Sequence, residues 1–283
     1  MNTNKIFSLT TPSEDEMKAA HINYMNWLMN NPNNFSYWFP RIKDLREQGI
    51  SIPKSIIIPV PKKILRAFYL EHMPDDMGVI TKWVDAAVMP FISTEFANKD
   101  VFVKNGCFSN KYTFNAACHI PANADLLKVT DNICRIQADS ICFDTAGNLE
   151  IVLREWIEPE EGTRTIYNGM PFRSEMRLFY DFTNHHYLYD VNYWDWDYCH
   201  DHICCNPEDA EVYEEDYQCI AEELDVRKNI HLTNIANALD SVNSLKGIWS
   251  VDFILTEDKC WLIDMAVAKQ SAYWDENKAF PKS

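Results

Sequence analysis

The sequence predicts a mixed α+β fold, and three observations lead to that prediction. Runs rich in Val, Ile and Leu alternate along the chain with stretches whose apolar residues recur at helical spacing. No internal repeat or low-complexity segment interrupts this succession, so strands and helices are interspersed throughout. The chain has 283 residues, of which 47% are hydrophobic. That is enough for a large core, in one domain or in two or three coupled lobes.

The N-terminal part predicts two helices followed by a strand. Ser13 and Glu16 form a capping-box pattern, and apolar positions at helical spacing follow as far as the NPNN sequence at 31–34. An aromatic and aliphatic stripe then predicts a second helix, which stops at Gly49. Residues 55–60 read as a buried strand.

Further along the chain, strands dominate until a long helical stretch begins. Two short aliphatic runs, 101–104 and 151–157, predict central strands. The segments 176–182 and 186–191 alternate between apolar and polar residues, as expected of a hairpin. Helical spacing returns over 207–245, and we expect two helices there.

Charge and composition exclude several classes of protein. The 42 acidic residues outnumber the 26 basic ones, and the net charge of −16 disfavours non-specific nucleic-acid binding. No apolar run approaches the roughly 18 residues that cross a bilayer, so we expect a cytoplasmic protein without a membrane partner. Only seven glycines are present, and neither a P-loop nor a dinucleotide-binding glycine pattern occurs.

The strongest signal for a site is a terminal hairpin that carries two acids. The sequences WSVDFIL and CWLIDMA flank a polar turn. A three-residue turn at 257–259 would pair Thr256 with Cys260 and place Asp252 opposite Asp264. Directly opposed Cβ atoms lie about 4.5–5.5 Å apart, and carboxylates that close repel each other unless a cation or a proton lies between them. Mg²⁺ held together with nucleotide phosphates would suit such ligands.

Two other interpretations of this hairpin stay open. A two-residue turn would shift the register by one residue, so that Asp252 would oppose Met265 and the two acids would part. Alternatively, each acid pairs with a nearby lysine.

The order of motifs along the chain resembles the ATP-grasp superfamily. The motifs are a lysine-bearing strand, a loop, a hinge strand, an arginine-bearing strand and the acidic hairpin: VFVK, GCFSNKYTF, VLREWIEP, SEMRLFYD and VDFIL with LIDMA. Residues 1–95 resemble the segment that precedes the ATP-grasp domain in some members, which leaves 96–283 for the domain itself. Within the superfamily, the pattern is most similar to a phage and bacterial clade marked by one arginine and two lysines, whose members are predicted peptide or amine ligases.

The resemblance implies an ATP-grasp fold in which two α+β lobes hold ATP and Mg²⁺, with the hinge between the lobes near 154–158. It implies a ligase that activates a carboxylate as an acyl phosphate, which an amine then attacks. The expected partner is a small-molecule or peptide substrate.

The resemblance also assigns roles to the cationic residues. Lys104 would contact the α- or β-phosphate, and Lys111 would close over the phosphates from its loop. Arg177 would stabilise the transferring phosphoryl oxygens, with Glu175 orienting it. The alternative for Arg177 and Glu175 is an ion pair on one face of their strand.

The hinge and the metal positions follow from the same resemblance. Adenine would lie against Glu155, Trp156 and Ile157, and Glu158 is a candidate for the ribose hydroxyls.

Asp252 and Asp264 match the two acidic metal positions of the superfamily. The usual pattern places Asn two residues after the second acid, but this chain has Ala266, which puts a second metal in doubt. Lys269 could occupy part of that cation's space or contact the γ-phosphate.

The segment CHDHICC offers five zinc-compatible donors: Cys199, His200, His202, Cys204 and Cys205. Five donors within seven residues cannot all reach one tetrahedral ion. A packed or loop-borne set of side chains is the alternative.

The resemblance leaves a second class of function open. The superfamily also contains a eukaryotic chaperone that assembles a translation-initiation factor, and Ala266 favours such an ATP-binding, non-catalytic role. A phage protein that acts on a host factor, and so has a host protein partner, is a further alternative.

Overall fold

A computed structural model describes residues 13–69, 74–142 and 149–281. The helices are α1 Glu14–Asn30, α2 Phe35–Ile42, α3 Lys62–Tyr69, α4 Pro74–Ala87, α5 Met89–Thr94, α6 Phe114–Ala117, α7 Leu126–Cys142, α8 Trp196–Ile203, α9 Pro207–Asp240 and α10 Glu276–Ala279. The strands are β1 Ser55–Pro59, β2 Val101–Asn105, β3 His119–Ile120, β4 Glu150–Glu155, β5 Thr165–Ile166, β6 Met170–Pro171, β7 Glu175–Asp181, β8 His186–Asn192, β9 Ile248–Leu255 and β10 Cys260–Val267. Short 3₁₀ helices cover Lys43–Gln48, Lys111–Thr113 and Ala268–Gln270. This interspersion confirms the predicted α+β class.

Two four-stranded antiparallel sheets form the framework. The first, here called the N-terminal sheet, has the order β1-β4-β2-β3. The predicted central strands are therefore confirmed, although β4 ends at Glu155, two residues earlier than expected. The strand β1 precedes the expected domain boundary near residue 95, whereas the other three strands of the sheet follow it. The boundary stays a prediction.

The second sheet, here called the C-terminal sheet, joins the two predicted hairpins. Its order is β10-β9-β7-β8, and every neighbouring pair is antiparallel. The pairing of β7 with β9 places Arg177 opposite Asp252. Both expected hairpins are therefore confirmed, and their union brings the arginine strand beside the acidic strand.

Each sheet packs on its own apolar core. The core of the N-terminal sheet includes Val103, Leu153 and Ile133 of α7. The core of the C-terminal sheet is closed by α9 and by α2, whose Phe35 and Trp38 are fully buried. The second predicted helix is confirmed as α2 with its 3₁₀ extension.

The expectation of two helices over 207–245 was wrong. One helix, α9, runs for 34 residues from Pro207 to Asp240. Neither Gly nor Pro interrupts it after Pro207, and buried residues such as Tyr213, Leu224 and Ile235 keep one stripe against the protein. The helix needs no break, because its buried residues form one stripe that packs against the core along its length.

The pattern along the chain did not predict α3–α8 or α10. The Asp195 side chain caps α8 by accepting from the Tyr198 N–H at 3.1 Å. None of the helices in the described ranges combines the length and apolar character that a bilayer crossing needs.

Gly49 supports a stability prediction, because it ends the 3₁₀ extension of α2 with φ of 83°. A side chain costs about 1–2 kcal/mol in this left-handed conformation, so Gly49→Ala should lower the free energy of unfolding by that amount. Gly78→Ala is the matched control, because Gly78 lies in α4 and a Cβ there meets nothing within 4 Å. The control should be about 0.5–1 kcal/mol more stable than the parent. Urea denaturation measures both, and a Gly49→Ala protein as stable as the parent would contradict this account.

Candidate functional site

A cleft between the two sheets holds two adjoining cavities. The first, here called the hinge cavity, spans about 580 Å³ of space that is partly open to solvent, and it lies beside the end of β4. The second, here called the tyrosine cavity, spans about 860 Å³ that is likewise partly open to solvent, and it lies over β7 and β9. The cavities share Ser109, Lys111 and Asp264 as lining residues.

The first contact across the cleft is an ion pair between a buried lysine and a partly exposed aspartate. Lys104 of β2 is 2% exposed, and its Nζ donates to Oδ2 of Asp264 on β10 at 2.7 Å. Burial alone would raise the pKa of Asp264, but Lys104 and the nearby Arg154 lower it below its usual value. An ammonium group this deeply buried would be costly without such a partner, so the pair fixes one sheet against the other.

The second acid of the hairpin binds an arginine rather than a lysine. Asp252 accepts two hydrogen bonds from Arg177, at 2.8 Å from Nε and 2.8 Å from Nη2. Burial alone would lower the pKa of Arg177, but the two-point contact with Asp252 outweighs it and raises that pKa. Cationic side chains therefore neutralise both acids in the structure.

The predicted register of the acids is confirmed, although the predicted turn was wrong. Leu255 pairs with Cys260, so the loop has four residues and would on its own set Asp252 opposite Ile263. An irregularity between Leu262 and Asp264 restores the pairing of Asp264 with Asp252.

Lys111 connects the two cavities. Its Nζ lies 3.1 Å from the Tyr193 hydroxyl and 3.6 Å from Oε2 of Glu175, and 4.2 Å from the centre of the Tyr193 ring. Burial alone would lower the pKa of Lys111, but the carboxylates of Glu175 and Asp252 raise it. Glu175 therefore faces Lys111, and Asp252 takes the orienting contact with Arg177 that had been expected of Glu175.

Two arginines that the sequence analysis overlooked line the hinge cavity. Arg154 donates to the carbonyl oxygen of Ile263, and Arg173 donates to that of Ile157 at 3.0 Å. Burial lowers the pKa of both guanidinium groups. The hinge sequence contained a signal for Arg154, since a charged residue inside an otherwise apolar central strand needs a partner.

Two buried guanidinium nitrogens of the hinge cavity have no hydrogen-bond partner: Arg154 Nη2 and Arg173 Nε. Buried polar groups are nearly always paired, so unpaired atoms at one place call for a ligand or bound water. Both nitrogens line the hinge cavity, where a polar ligand or a water molecule would satisfy them.

The opposite wall of the hinge cavity is apolar. Trp156 packs against Phe114 with ring centres 5.6 Å apart, and Ile157, Met170 and Ile254 complete the slot. The predicted hinge residues Glu155, Trp156 and Ile157 all line this cavity.

Other predicted site residues lie outside the lining of both cavities. Glu158 is exposed and accepts from the indole N–H of Trp156 at 3.2 Å. Lys269 is exposed on the 3₁₀ turn after β10. Ala266 pairs with Ser250, so no amide side chain stands at the position where the superfamily pattern has Asn.

The charge around the cleft differs from that of the whole protein. Lining residues include five cationic side chains, Lys104, Lys111, Arg154, Arg173 and Arg177, against four acids, Glu155, Glu175, Asp252 and Asp264. The whole chain carries −16. A local excess of positive charge in so acidic a protein favours an anionic ligand here.

The tyrosine cavity takes its name from Tyr112, Tyr167, Tyr193, Tyr198 and Tyr273. Its floor is the Arg177–Asp252 pair, and Tyr112 and Tyr198 are about half exposed at its mouth. Tyrosines offer both an apolar face and a hydroxyl, so this cavity suits an organic molecule with polar groups.

Asp252 and Asp264 at the base of the cleft are the residues that could hold one Mg²⁺ ion. Asp252 and Asp264 offer hard oxygen ligands from directly opposed positions on adjacent strands. Because Arg177 and Lys104 hold these acids, any metal would share them with the two cations.

Comparison with known proteins gives matches in structure only. No family model matches the chain, and no curated protein matches it. Cdc123 from Schizosaccharomyces pombe is similar over 87% of both chains, with 16% identity and a TM-score of 0.45.

Two other solved structures cover the chain to a similar extent. The D-cycloserine synthetase DcsG matches 93% of this chain and 73% of its own, with 11% identity and a TM-score of 0.38. The D-alanine–D-alanine ligase from Bacillus anthracis, complexed with ATP, matches 83% and 54%, with 10% identity and a TM-score of 0.36. The chain therefore spans about half of that ligase.

The Lys104–Asp264 pair supports a pH-dependent prediction. The pKa of Asp264 is lower in the folded protein than the unfolded value of about 3.9, so the pair stabilises the fold above that pH and this stabilisation is lost as the pH falls. Asp264→Asn should cost about 2–3 kcal/mol at pH 7, less than a fully buried pair because 34% of Asp264 is exposed. The difference should shrink by about 1 kcal/mol at pH 3, because each pH unit below the unfolded pKa removes up to about 1.4 kcal/mol of this stabilisation.

Urea denaturation of parent and variant at both pH values measures this effect. Glu95→Gln is the control, because it breaks an exposed pair with Lys54 and should cost less than about 1 kcal/mol. An equal penalty for Asp264→Asn at pH 7 and pH 3 would contradict the assignment of the pair.

Proposed function

We propose that this protein is an ATP-grasp enzyme that binds Mg-ATP in the cleft and ligates a carboxylate to an amine. The observation that carries the proposal is the set of five cationic side chains around Asp252 and Asp264, next to an apolar slot. A flat base, a chain of phosphates and a metal need these three features side by side.

The nucleotide would lie with its base in the hinge cavity. The slot of Trp156, Ile157 and Phe114 suits the faces of adenine, and the backbone of 155–157 would meet its edge. The phosphates would then reach the common border of the cavities. The unpaired groups on Arg154 and Arg173 support this placement, because a nucleotide would supply acceptors for both.

The cations would stabilise the charge that phosphoryl transfer spreads over several oxygens. Lys104 and Arg177 are already oriented by Asp264 and Asp252, so little reorganisation is needed when phosphate arrives. Mg²⁺ bound by the two acids would neutralise phosphate charge and fix the orientation of the phosphates.

The tyrosine cavity would hold the molecule that accepts the phosphoryl group. A carboxylate oxygen attacks the γ-phosphorus and ADP leaves, which gives an acyl phosphate. An amine then attacks the acyl carbon, and phosphate and a proton leave as the amide forms. We propose a small molecule or a peptide end as substrate, because the open mouth at Tyr112 and Tyr198 admits either.

Three cleft residues support a finer assignment to the phage and bacterial clade marked by one arginine and two lysines. Arg177, Lys104 and Lys111 all line the cavities. We give Lys269 no role, because it lies outside that lining.

An ATP-binding assembly protein is the second candidate. Both acids are held by cationic side chains, and Ala266 supplies no third metal ligand, which would weaken metal binding. In that case the aromatic mouth would dock a protein, a host factor if the chain is phage-encoded.

Replacing the buried lysine tests nucleotide binding. Charged hydrogen bonds contribute about 1.5–3 kcal/mol, so Lys104→Met should weaken Mg-ATP binding by about 10–100-fold in isothermal titration calorimetry. The matched control Lys259→Met lies at the exposed hairpin turn and should bind like the parent. Equal affinities in all three proteins would rule out Lys104 as a phosphate ligand.

ADP release separates the two candidate functions. We expect ADP to form slowly in Mg-ATP alone and at least about 10-fold faster with a matching acid and amine. Arg177→Met should lower the rate of ADP formation with acid and amine by about 100–1000-fold. Nucleotide binding without turnover across acid and amine libraries, together with a stable protein complex, would instead establish the assembly function.

A further inference from the structure

We propose that α8 and α9 together form a Zn²⁺ site, with His200, Cys204 and Glu214 as ligands. Nε2 of His200 lies 3.3 Å from Oε1 of Glu214, and Sγ of Cys204 lies 3.9 Å from that same oxygen. The three donor atoms all lie within 4.8 Å of one another. This site is separate from the cleft and does not depend on the function proposed for it.

The separations agree with the edges of a zinc tetrahedron. Zinc lies about 2.0–2.2 Å from nitrogen and oxygen ligands and about 2.3 Å from sulfur. At tetrahedral angles, nitrogen and oxygen ligands are then about 3.3 Å apart, and sulfur and oxygen ligands about 3.6 Å. The observed 3.3 and 3.9 Å are therefore close to what one ion needs.

The fold explains why these donors meet. His200 and Cys204 are four residues apart at the end of α8, so they share one face. A tight connection through Asn206 starts α9, which runs back along α8 and brings Glu214 to that face. A thiolate, an imidazole and a carboxylate form a mixed set that suits zinc better than Mg²⁺ or Ca²⁺.

A second carboxylate supports the ligand role of His200. Nδ1 of His200 lies 3.4 Å from Oδ1 of Asp201, while Nε2 faces the other donors. Metal-binding histidines commonly donate their second ring N–H to a carboxylate, which fixes the tautomer and the ring orientation. Trp196 packs on the same ring with centres 4.4 Å apart and restricts it further.

The contacts of the five donors in CHDHICC show which of them can belong to the site. Cys199 contacts the Tyr273 hydroxyl, and Cys205 donates to the carbonyl oxygen of Asp201 at 3.1 Å, so both point away from the cluster. His202 is exposed and lies outside the cluster, so His200 and Cys204 remain of the five candidates, and Glu214 comes from the next helix. Three protein ligands leave the fourth position to water.

The bound ion would clamp α8 against α9. Tyr198 and Cys199 of α8 line the tyrosine cavity, so the clamp would hold one wall of that cavity in place. We therefore expect zinc to raise the melting temperature of the metal-free protein.

The test uses untagged full-length protein. Zinc is measured in the purified protein by mass spectrometry, and the chelator-treated protein is titrated with Zn²⁺ against a competing chelator. The ligand variants are His200→Ala, Cys204→Ser and Glu214→Gln. The matched controls, from the same two helices, are His202→Ala, Cys205→Ser and Glu211→Gln.

We expect one Zn²⁺ per chain, with affinity lowered by at least about 10–100-fold in each ligand variant and unchanged in each control. Co²⁺ should give a thiolate charge-transfer absorption that Cys204→Ser removes and Cys205→Ser retains. Circular dichroism of the metal-free variants checks that they fold. Because Glu214 is exposed, Glu214→Gln should fold and still test the site even if another variant fails to fold. Absence of stoichiometric Zn²⁺ binding in the parent, or equal losses in ligand and control variants, would overturn the proposal.

Discussion

The burial of the Lys104 ammonium group is the constraint on which the rest of the cleft depends. A lysine that is 2% exposed must have an anionic partner, and the partner lies on the other sheet, at Asp264. The two sheets are thereby held at a fixed separation, and the space between them becomes the cleft. A hydrophobic residue at position 104 would avoid the desolvation cost of a buried charge. A lysine in this place therefore indicates function rather than stability.

The other charges of the cleft repeat this arrangement. Arg177 is held by Asp252, and Lys111 lies beside Glu175, so each cation is positioned before any ligand arrives. Positioned charges in a poorly solvated site stabilise developing charge strongly, because little reorganisation opposes them. The same pairs explain how an acidic protein can offer an anion a favourable site.

The sequence predicted the framework of this site, because strand periodicity and hairpin pairing are local properties. The pairing of Asp252 with Asp264 is an instructive case: the turn was predicted one residue too short, and the irregularity beside Ile263 compensated for it. Contacts between distant segments could not be predicted in the same way. Nothing in the local pattern indicates that Arg173 reaches the hinge carbonyl of Ile157, or that Glu214 approaches α8.

The measurement that tests the nucleotide proposal most directly is the melting temperature of the protein with ATP, ADP and GTP, each with and without Mg²⁺. A ligand that binds only the folded state raises stability by RT ln(1 + [L]/Kd), about 2.7 kcal/mol at 100 times Kd. We predict a clear rise with ATP that is larger when Mg²⁺ is present. No rise with any of the three nucleotides at millimolar concentration would contradict the account, and the charged cleft would then need a different anionic ligand.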